Sequence, residues 1–428
     1  MSGLPAGVNT VVMGIGDLNG ILRGKRIPVS HWPTIRDEGM ALANAIFVMD
    51  MTCDIWDTPY ANMGTGYPDV RVFPLTDAPH PMPWDPGAVF VMGRVEKEHG
   101  GPVEVDPRNV LVSVLDKAKS MGYEVSIGAE LEFFLLDPET LRPTDSGIQV
   151  YGLERAMEFE HVLGPIRNDL VTAGIPIEQS NPEYAPGQVE VNIRYAEALE
   201  TADRVVAFRG MVKQLAIAHG YVATFMSKPF FDLSGSGFHV HHSLWKDGTN
   251  LFADGGHLSG LGRQYLAGMQ RRMAETAVFS ASTPNAYRRR QPYTFCPINN
   301  AWGVDNRTCG LRVIEGHDKA VRVEQRDGSA DCNPYLLLAS QIAAGLEGIE
   351  NGWKPERQET GDGYASETAT PLPTDLKTAV GLARQSEFVA GLMNSDMLEI
   401  YLGQAERELD FVGAQVTPVE QERYLRNF

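Results

Sequence analysis

Apolar and polar positions alternate in two short runs over residues 10–27, and between them stands Asn19-Gly20, a dipeptide that favours the positive φ angles of a tight hairpin turn. Two paired strands are therefore expected there, with further short strands to about Val95. The stretch 96–107 is polar and contains Gly and Pro, which marks a domain boundary. Beyond it the period changes. Val110, Leu111, Val114, Leu115 and Ala118 recur at helical spacing over 107–121, and a strand follows over 123–136. Helices are expected over 196–219 and 333–350, the second with Asn333 as N-cap and Pro334 in the first helical position. Residues 351–374 read as a polar, exposed loop, and a charged helical segment closes the chain. The layout is α+β.

Composition narrows the class. A chain of 428 residues with 43% hydrophobic content buries a large core, and a formal charge of −18 argues against nucleic acid or an anionic membrane surface as partner. Small-molecule chemistry is the expectation. The four cysteines Cys53, Cys296, Cys309 and Cys332 form no C-x-x-C pair, and a chain of this size needs no disulfide staples. With no apolar run near the roughly 20 residues that span a bilayer, and no leader-like N-terminus, a reduced cytoplasmic protein is expected.

The chemistry is written in acids placed where a core should be. In IGAELEFFLL, Glu130 and Glu132 share one strand face, because successive strand residues alternate sides. Glu183 and Glu190 flank a Pro-Gly turn that lets their carboxylates converge. His239 and His241 share a face opposite Phe238 and Val240, after a Gly-rich run, and Arg322, Glu324 and Arg326 line another face against Val321 and Val323. An isolated E-x-E is commonly a solvated strand face. Burying unpaired carboxylates costs several kcal/mol each, so their number here calls for a cation or a solvent-filled site. Five glutamates and a histidine offer the hard ligands that suit Mg²⁺ or Mn²⁺, and interleaved arginines suit phosphate and carboxylate. Residues 20–25, GILRGK, have the wrong glycine spacing for a P-loop, so a nucleotide would be held by another architecture.

The segments GAELEFF, NPEYAPGQVE, GSGFHVHHSL, NAYRRRQP, NRTCGLR and RVEQRDGSADCNPYL resemble, in order, the signatures of the glutamine synthetase family, and GDLNGILRGKRIP resembles part of its N-terminal β-grasp domain. The resemblance implies a β-grasp domain over 1–103 and a catalytic domain over 104–428. It also implies ATP and glutamate as substrates, a funnel-shaped site with two metals, and sites closed between subunits of a ring-shaped dodecamer. Carried over by position, Glu132, Glu183 and Glu190 would hold one metal, and Glu130, His239 and Glu324 the other. Arg289, Arg326 and the backbone of Gly235 would bind glutamate, and Arg307 would steady the phosphoryl group. His241, Ser243, Arg312, Lys319 and Arg322 match nucleotide-side positions. Asp50 aligns with the aspartate that draws in the nitrogen nucleophile from the neighbouring subunit.

Departures from the family pattern cluster on one side. Phe295 stands where glutamine synthetases proper carry a flap glutamate, Ser234 replaces an expected asparagine, and MTC follows Asp50. This looks like the γ-glutamyl-amide branch, whose members act on alkylamines, ethanolamine, polyamines or anilines. Phe295, with Trp56, Tyr60 and Trp302 as candidate neighbours, would then receive the organic group of an amine, although each of those aromatics taken alone reads as core packing. Two alternatives stay open: a glutamine synthetase using ammonia, and a non-catalytic relative. Tyr401 is expected to pack a helix and not to serve as a modification site.

Overall fold

The computed structural model describes residues 4–144, 147 and 150–428. Two sheets organise these residues. In the first, strand order is Leu22–Pro28, Thr10–Gly16, Ala88–Lys97, Asp69–Pro74, Met40–Ala43, with His80–Pro81 also paired to Ala88–Lys97. Thr10–Gly16 runs parallel to Ala88–Lys97 and antiparallel to Leu22–Pro28. The expected hairpin is present, but its connection is looser than a two-residue turn. Ladder pairing ends at Gly16 and Leu22, and of the two central residues only Gly20 takes a positive φ, at 69°. The buried Asp17 carboxylate closes the loop instead, accepting from the amides of Asn19 (2.8 Å) and Ile21 (2.9 Å) and from Arg23 Nε (2.8 Å).

The second sheet follows the order Trp302–Val304, Leu311–Ile314, Arg322–Gln325, Phe238–Lys246, Glu124–Leu136, Gln188–Glu197, Ile177–Pro182. Alternation along Glu124–Leu136 sorts its two faces as the sequence implies. Ile127, Ala129, Leu131 and Phe133 are fully buried beneath the helix Ala198–Ala218, where Phe133 meets Phe208 edge-on with ring centroids 6.4 Å apart. Glu130 and Glu132 therefore face the other way.

Helices form close to where periodicity placed them: Pro107–Ser120, capped by Asp106; Ala198–Ala218; and Pro334–Glu350, whose Asn333 cap accepts from the amides of Tyr335 and Leu336. Asn333 also ties the two halves together, because its Nδ2 donates to the carbonyls of Asp17 (3.2 Å) and Leu18 (2.9 Å) in the first hairpin. One apolar core runs through both halves. The helix Leu153–Thr172 carries no signal that the periodicity caught: Gly164 and Pro165 interrupt it, and Leu153 and Met157 are exposed. Residues 351–374 are mostly exposed or half-buried, as expected, and their carbonyls accept from Trp302 Nε1, Asn306 and Asn299.

All four cysteines are free. Tyr401 packs as expected, buried and stacked on Phe279 at 5.3 Å. No helix among the described residues is long and apolar enough to cross a membrane.

Candidate active site

Four strands of the second sheet deliver the acids and histidines of the site, and register decides which of them meet. Across the Phe238–Lys246 and Glu124–Leu136 pair, His239 stands opposite Glu130; across Gln188–Glu197, Glu190 stands opposite Glu132; across Arg322–Gln325, Glu324 stands opposite His241. Glu183 follows directly on Ile177–Pro182 and is brought back by the Pro-Gly turn, its amide donating to the Gln188 carbonyl at 2.8 Å. Three sets of side chains result whose ligand atoms all lie within 4.8 Å of one another: Glu130, Glu190 and His239; Glu130, His241 and Glu324; Glu132, Glu183 and Glu190. All six side chains expected as ligands take part in these sets, and Glu132, Glu183 and Glu190 group as expected, but Glu130, His239 and Glu324 do not form one set: His239 groups with Glu130 and Glu190, and Glu324 with Glu130 and His241. His241, expected on the nucleotide side, joins them.

The electrostatics split the cluster. On one side, His241 Nε2 lies 2.9 Å and His239 Nδ1 3.4 Å from the Glu130 carboxylate, and Arg322 Nε donates to His241 Nδ1 at 3.1 Å, which leaves the proton on the nitrogen facing Glu130. Burial works against the charge of Glu130, but His241 and His239 outweigh it and hold this carboxyl well below the usual range. Glu324, fully buried, accepts from Arg326 (2.5 Å) and Arg312 (3.1 Å). Burial again opposes the charge, while Arg326, His241 and His239 bring the carboxyl down to about 2.

On the other side the partners are neutral. Glu132 accepts from the Gly237 amide (2.8 Å) and Gln188 Nε2 (3.3 Å), Glu183 from Asn181 and the Tyr184 amide, and Glu190 from Asn192. Burial and the neighbouring Glu132 push Glu183 up to about 7, and burial with Glu130, Glu132 and Glu183 pushes Glu190 up to about 9. Carboxylates crowded together without a cation behave this way. An all-oxygen donor set of this kind fits a hard divalent cation, which would relieve both burial and mutual repulsion.

The glutamate-side residues expected from the sequence lie beside this cluster. Arg289 is buried against the carbonyls of Asp327 (3.2 Å) and Arg326 (3.1 Å). Gly235 and Gly237 permit that packing: a Cβ on Gly235 would come within 2.6 Å of Arg289 Cγ, and one on Gly237 within 2.9 Å of His239 Nε2. On the nucleotide side, Arg312 bridges Glu324 and Asp305, Ser243 lies two residues beyond His241 on the same strand and accepts from Trp245, and Lys319 is exposed in the short Asp318–Ala320 helix.

Other expected positions lie apart. Arg307 is exposed, and its charge is felt by Asp305 and Tyr151. Tyr151 carries no motif signal: its amide donates to the Pro182 carbonyl at 3.1 Å, next to Glu183, the residue is mostly exposed, and partial burial with the charges of Glu183 and Glu190 raises its hydroxyl pKa. Its only sequence signal is a lone aromatic in a polar loop. Phe295 is exposed in a left-handed conformation (φ 58°), and its carbonyl accepts from Arg326 at 3.5 Å. Trp302 packs as core, the reading each of these aromatics has on its own: it is 3% exposed and its Nε1 donates to the Glu356 carbonyl at 2.7 Å. Trp56 and Tyr60 are half-buried. Asp50 Oδ1 accepts from the Thr52 amide and hydroxyl (2.8 Å each) and the Asp54 amide (2.9 Å); burial opposes its charge, but these bonds and Arg407 hold the carboxyl below the usual range. No hydrogen bond or ion pair among the described residues joins Asp50 to the carboxylate cluster.

Residues 104–424 match the family of the glutamine synthetase catalytic domain. A glutamate–isopropylamine ligase from a Pseudomonas species is 32% identical, with 98% of this chain and 95% of that protein covered. The gamma-glutamylethanolamide synthetase GlnA4 of Streptomyces coelicolor is 33% identical, with 97% and 92% covered. The solved structure of a GmaS/ADP complex superposes with a TM-score of 0.88 at 31% identity, covering 98% of this chain and 97% of that one. Matched through its acid-bearing sheet and similar over nearly its whole length to these ligases, the chain belongs to the glutamine synthetase family.

Proposed function

We propose that this chain is an ATP-dependent glutamate–amine ligase, forming a γ-glutamyl amide by way of γ-glutamyl phosphate. One observation carries the choice of an amine over ammonia: the acid cluster is complete, while an exposed aromatic, Phe295, occupies the flap position that would otherwise be acidic. Relatives named for isopropylamine and ethanolamide support the same choice.

Glu132, Glu183 and Glu190 would hold one Mg²⁺ or Mn²⁺, and Glu130, His239 and Glu324 a second, His239 Nδ1 lying 3.4 Å from Glu130 and 3.9 Å from Glu324, with His241 close enough to Glu130 to orient it. Divalent cations held there polarise phosphoryl and carboxyl oxygens and offset the charge that accumulates between them. Arg289, Arg326 and the Gly235 backbone would seat glutamate; Ser243, Arg312, Lys319 and Arg322 would border the nucleotide; Arg307 would meet the transferred phosphoryl group. A γ-carboxylate oxygen attacks the terminal phosphorus and ADP leaves; the amine nitrogen then attacks the acyl carbon and phosphate leaves. Most alkylamines are protonated at neutral pH, so the nucleophile must first be drawn in as an ammonium and then lose a proton. Asp50, held charged, suits the first task better than the second.

Because no hydrogen bond or ion pair among the described residues joins Asp50 to the cluster of its own chain, we take the site to be completed by a neighbouring subunit, in keeping with a ring-shaped dodecamer. The N-terminal sheet, residues 1–103, would be the β-grasp domain that presents Asp50, and residues 104–428 the catalytic domain. The test is phosphate release with glutamate, ATP and Mg²⁺ or Mn²⁺ across ammonia, methylamine, isopropylamine, ethanolamine, putrescine and aniline, with the product identified by mass. Preference for an organic amine supports the proposal; preference for ammonia makes the enzyme a glutamine synthetase; no turnover returns the non-catalytic alternative.

A further inference from the structure

The loop that carries Asp50 has a fixed shape of its own. Met49 and Ile55 form a β-bridge, the Asp50 amide donates to the Asp54 carbonyl at 2.9 Å, and three donors from Thr52 and Asp54 converge on Asp50 Oδ1. No hydrogen bond from the described residues reaches Oδ2. That oxygen is available to a ligand, but internal bonds cannot decide which way it points.

Contacts from outside the loop set that direction. Asn19 of the first hairpin donates to the Met49 carbonyl at 3.2 Å and accepts from Gln404. Arg23 donates to Cys53 Sγ at 3.2 Å. From the helix Ser395–Gly413, Arg407 donates to Asp54 Oδ2 at 2.9 Å while its guanidinium lies 5.4 Å over the Trp56 ring. Asp54 and Trp56 sit on either side of the bridge residue Ile55, so one guanidinium grips the loop at two points close to Asp50. Glu408, the next residue of the helix, interacts electrostatically with Asp50 and has its carboxyl pushed up by burial and by that charge. Without Arg407 the helix would present Asp50 with a carboxylate alone.

We propose that Arg407 is a positioning residue for the amine half-reaction: clamped between Asp54 and Trp56, it fixes the orientation in which Asp50 meets the incoming ammonium. The proposal rests on the reading of Asp50 given above. An exposed ion pair adds little to stability, so the contribution of Arg407 lies in geometry. A planar guanidinium can hold a carboxylate and lie over an aromatic ring at once, which an ammonium does less well.

The test uses the full-length enzyme and its best amine. Arg407→Met is expected to raise the KM for the amine about tenfold, within the range that small misplacements cost. The KM values for glutamate and ATP, the slow ATP turnover without amine, and the melting temperature stay within about twofold or a few degrees of the parent. Arg407→Lys recovers part of the loss. Asp54→Asn keeps the backbone amide that binds Asp50 but removes the carboxylate, and the double variant is no worse than Arg407→Met alone, since both remove one clamp. Should Arg407→Met fail to assemble, Asp54→Asn carries the same expectation. An unchanged amine KM, a parallel rise in all three KM values, or multiplying effects in the double variant would overturn the proposal. Asp50→Asn separates the two levels. If Asp50→Asn raises the amine KM and the Arg407 and Asp54 variants do not, the clamp alone is wrong; if Asp50→Asn changes nothing, the reading of Asp50 is wrong and the clamp falls with it.

Discussion

Glu324 and Glu190 lie in one sheet and belong to overlapping sets of side chains, yet the protein treats them in opposite ways. Glu324 is fully buried and accepts from Arg312 and Arg326, and its carboxyl sits at about 2. Glu190 is half-buried among three other glutamates with Asn192 as its hydrogen-bond partner, and its carboxyl rises to about 9. Depth does not explain the difference, since the deeper group is the more acidic. Supplied cations do. The Glu130–Glu324 side carries its own counter-charges; the Glu132–Glu183–Glu190 side lacks them, and a divalent cation held there would supply them.

The largest way to break this comparison is to remove Glu324. Glu324→Gln strands Arg312, Arg326 and His239 without their shared carboxylate, and loss of one partner from a buried charged group costs about 3–5 kcal/mol. Chemical denaturation of the metal-free protein should show that loss, whereas Glu190→Gln should leave its stability at pH 8 unchanged or raised. Equal destabilisation by the two would erase the distinction. In turnover the order reverses in meaning: Glu190→Gln, which folds well, should still lower kcat by about a thousandfold, because several kcal/mol of metal-borne charge stabilisation is lost.

A second test is pH. The folded carboxyl of Glu190 titrates far above its ordinary value of 4.5, and that of Glu183 at about 7. Between about pH 4.5 and 9 the folded protein keeps protons that the unfolded chain has lost, so metal-free stability falls as pH rises through that window. Saturating Mn²⁺ should reverse the trend, and the rise in melting temperature it produces should be larger at pH 8 than at pH 6. A rise that is the same at both pH values would contradict the assignment.

Much of the cluster was legible in the sequence, because alternation on a strand is a local property: Glu130 with Glu132, and Arg322 with Glu324, could be placed on shared faces from spacing alone. The register between strands is not local. Glu130 and His241 stand 111 positions apart in the chain, and nothing in HVHH says which histidine reaches across, so the contact between His241 and Glu130 is not legible in the sequence. Trp302 lies in the core, one of the two places open to it in the sequence, since an aromatic residue carries no mark of whether it faces a core or a pocket. The helix Leu153–Thr172 escaped because its exposed Leu153 and Met157 spoil the apolar stripe on which periodicity depends.

A smaller effect sharpens the picture on the acceptor side. Phe295→Glu restores an acid at the flap and should shift the ratio of kcat/KM values toward ammonia by about tenfold, the equivalent of one modest pocket contact. An unchanged ratio would remove the reason for preferring an organic amine.

The most direct measurement is calorimetric titration of Mn²⁺ into the metal-free enzyme at pH 7.5, in buffers of different ionisation enthalpy, which counts the protons released on binding. If the carboxylates around Glu190 are held protonated for want of a cation, binding must expel about one proton per site, and Glu190→Gln must abolish that release. Tight binding with no proton released would mean that the cluster was already charged and balanced, and the contrast between its two sides would be wrong.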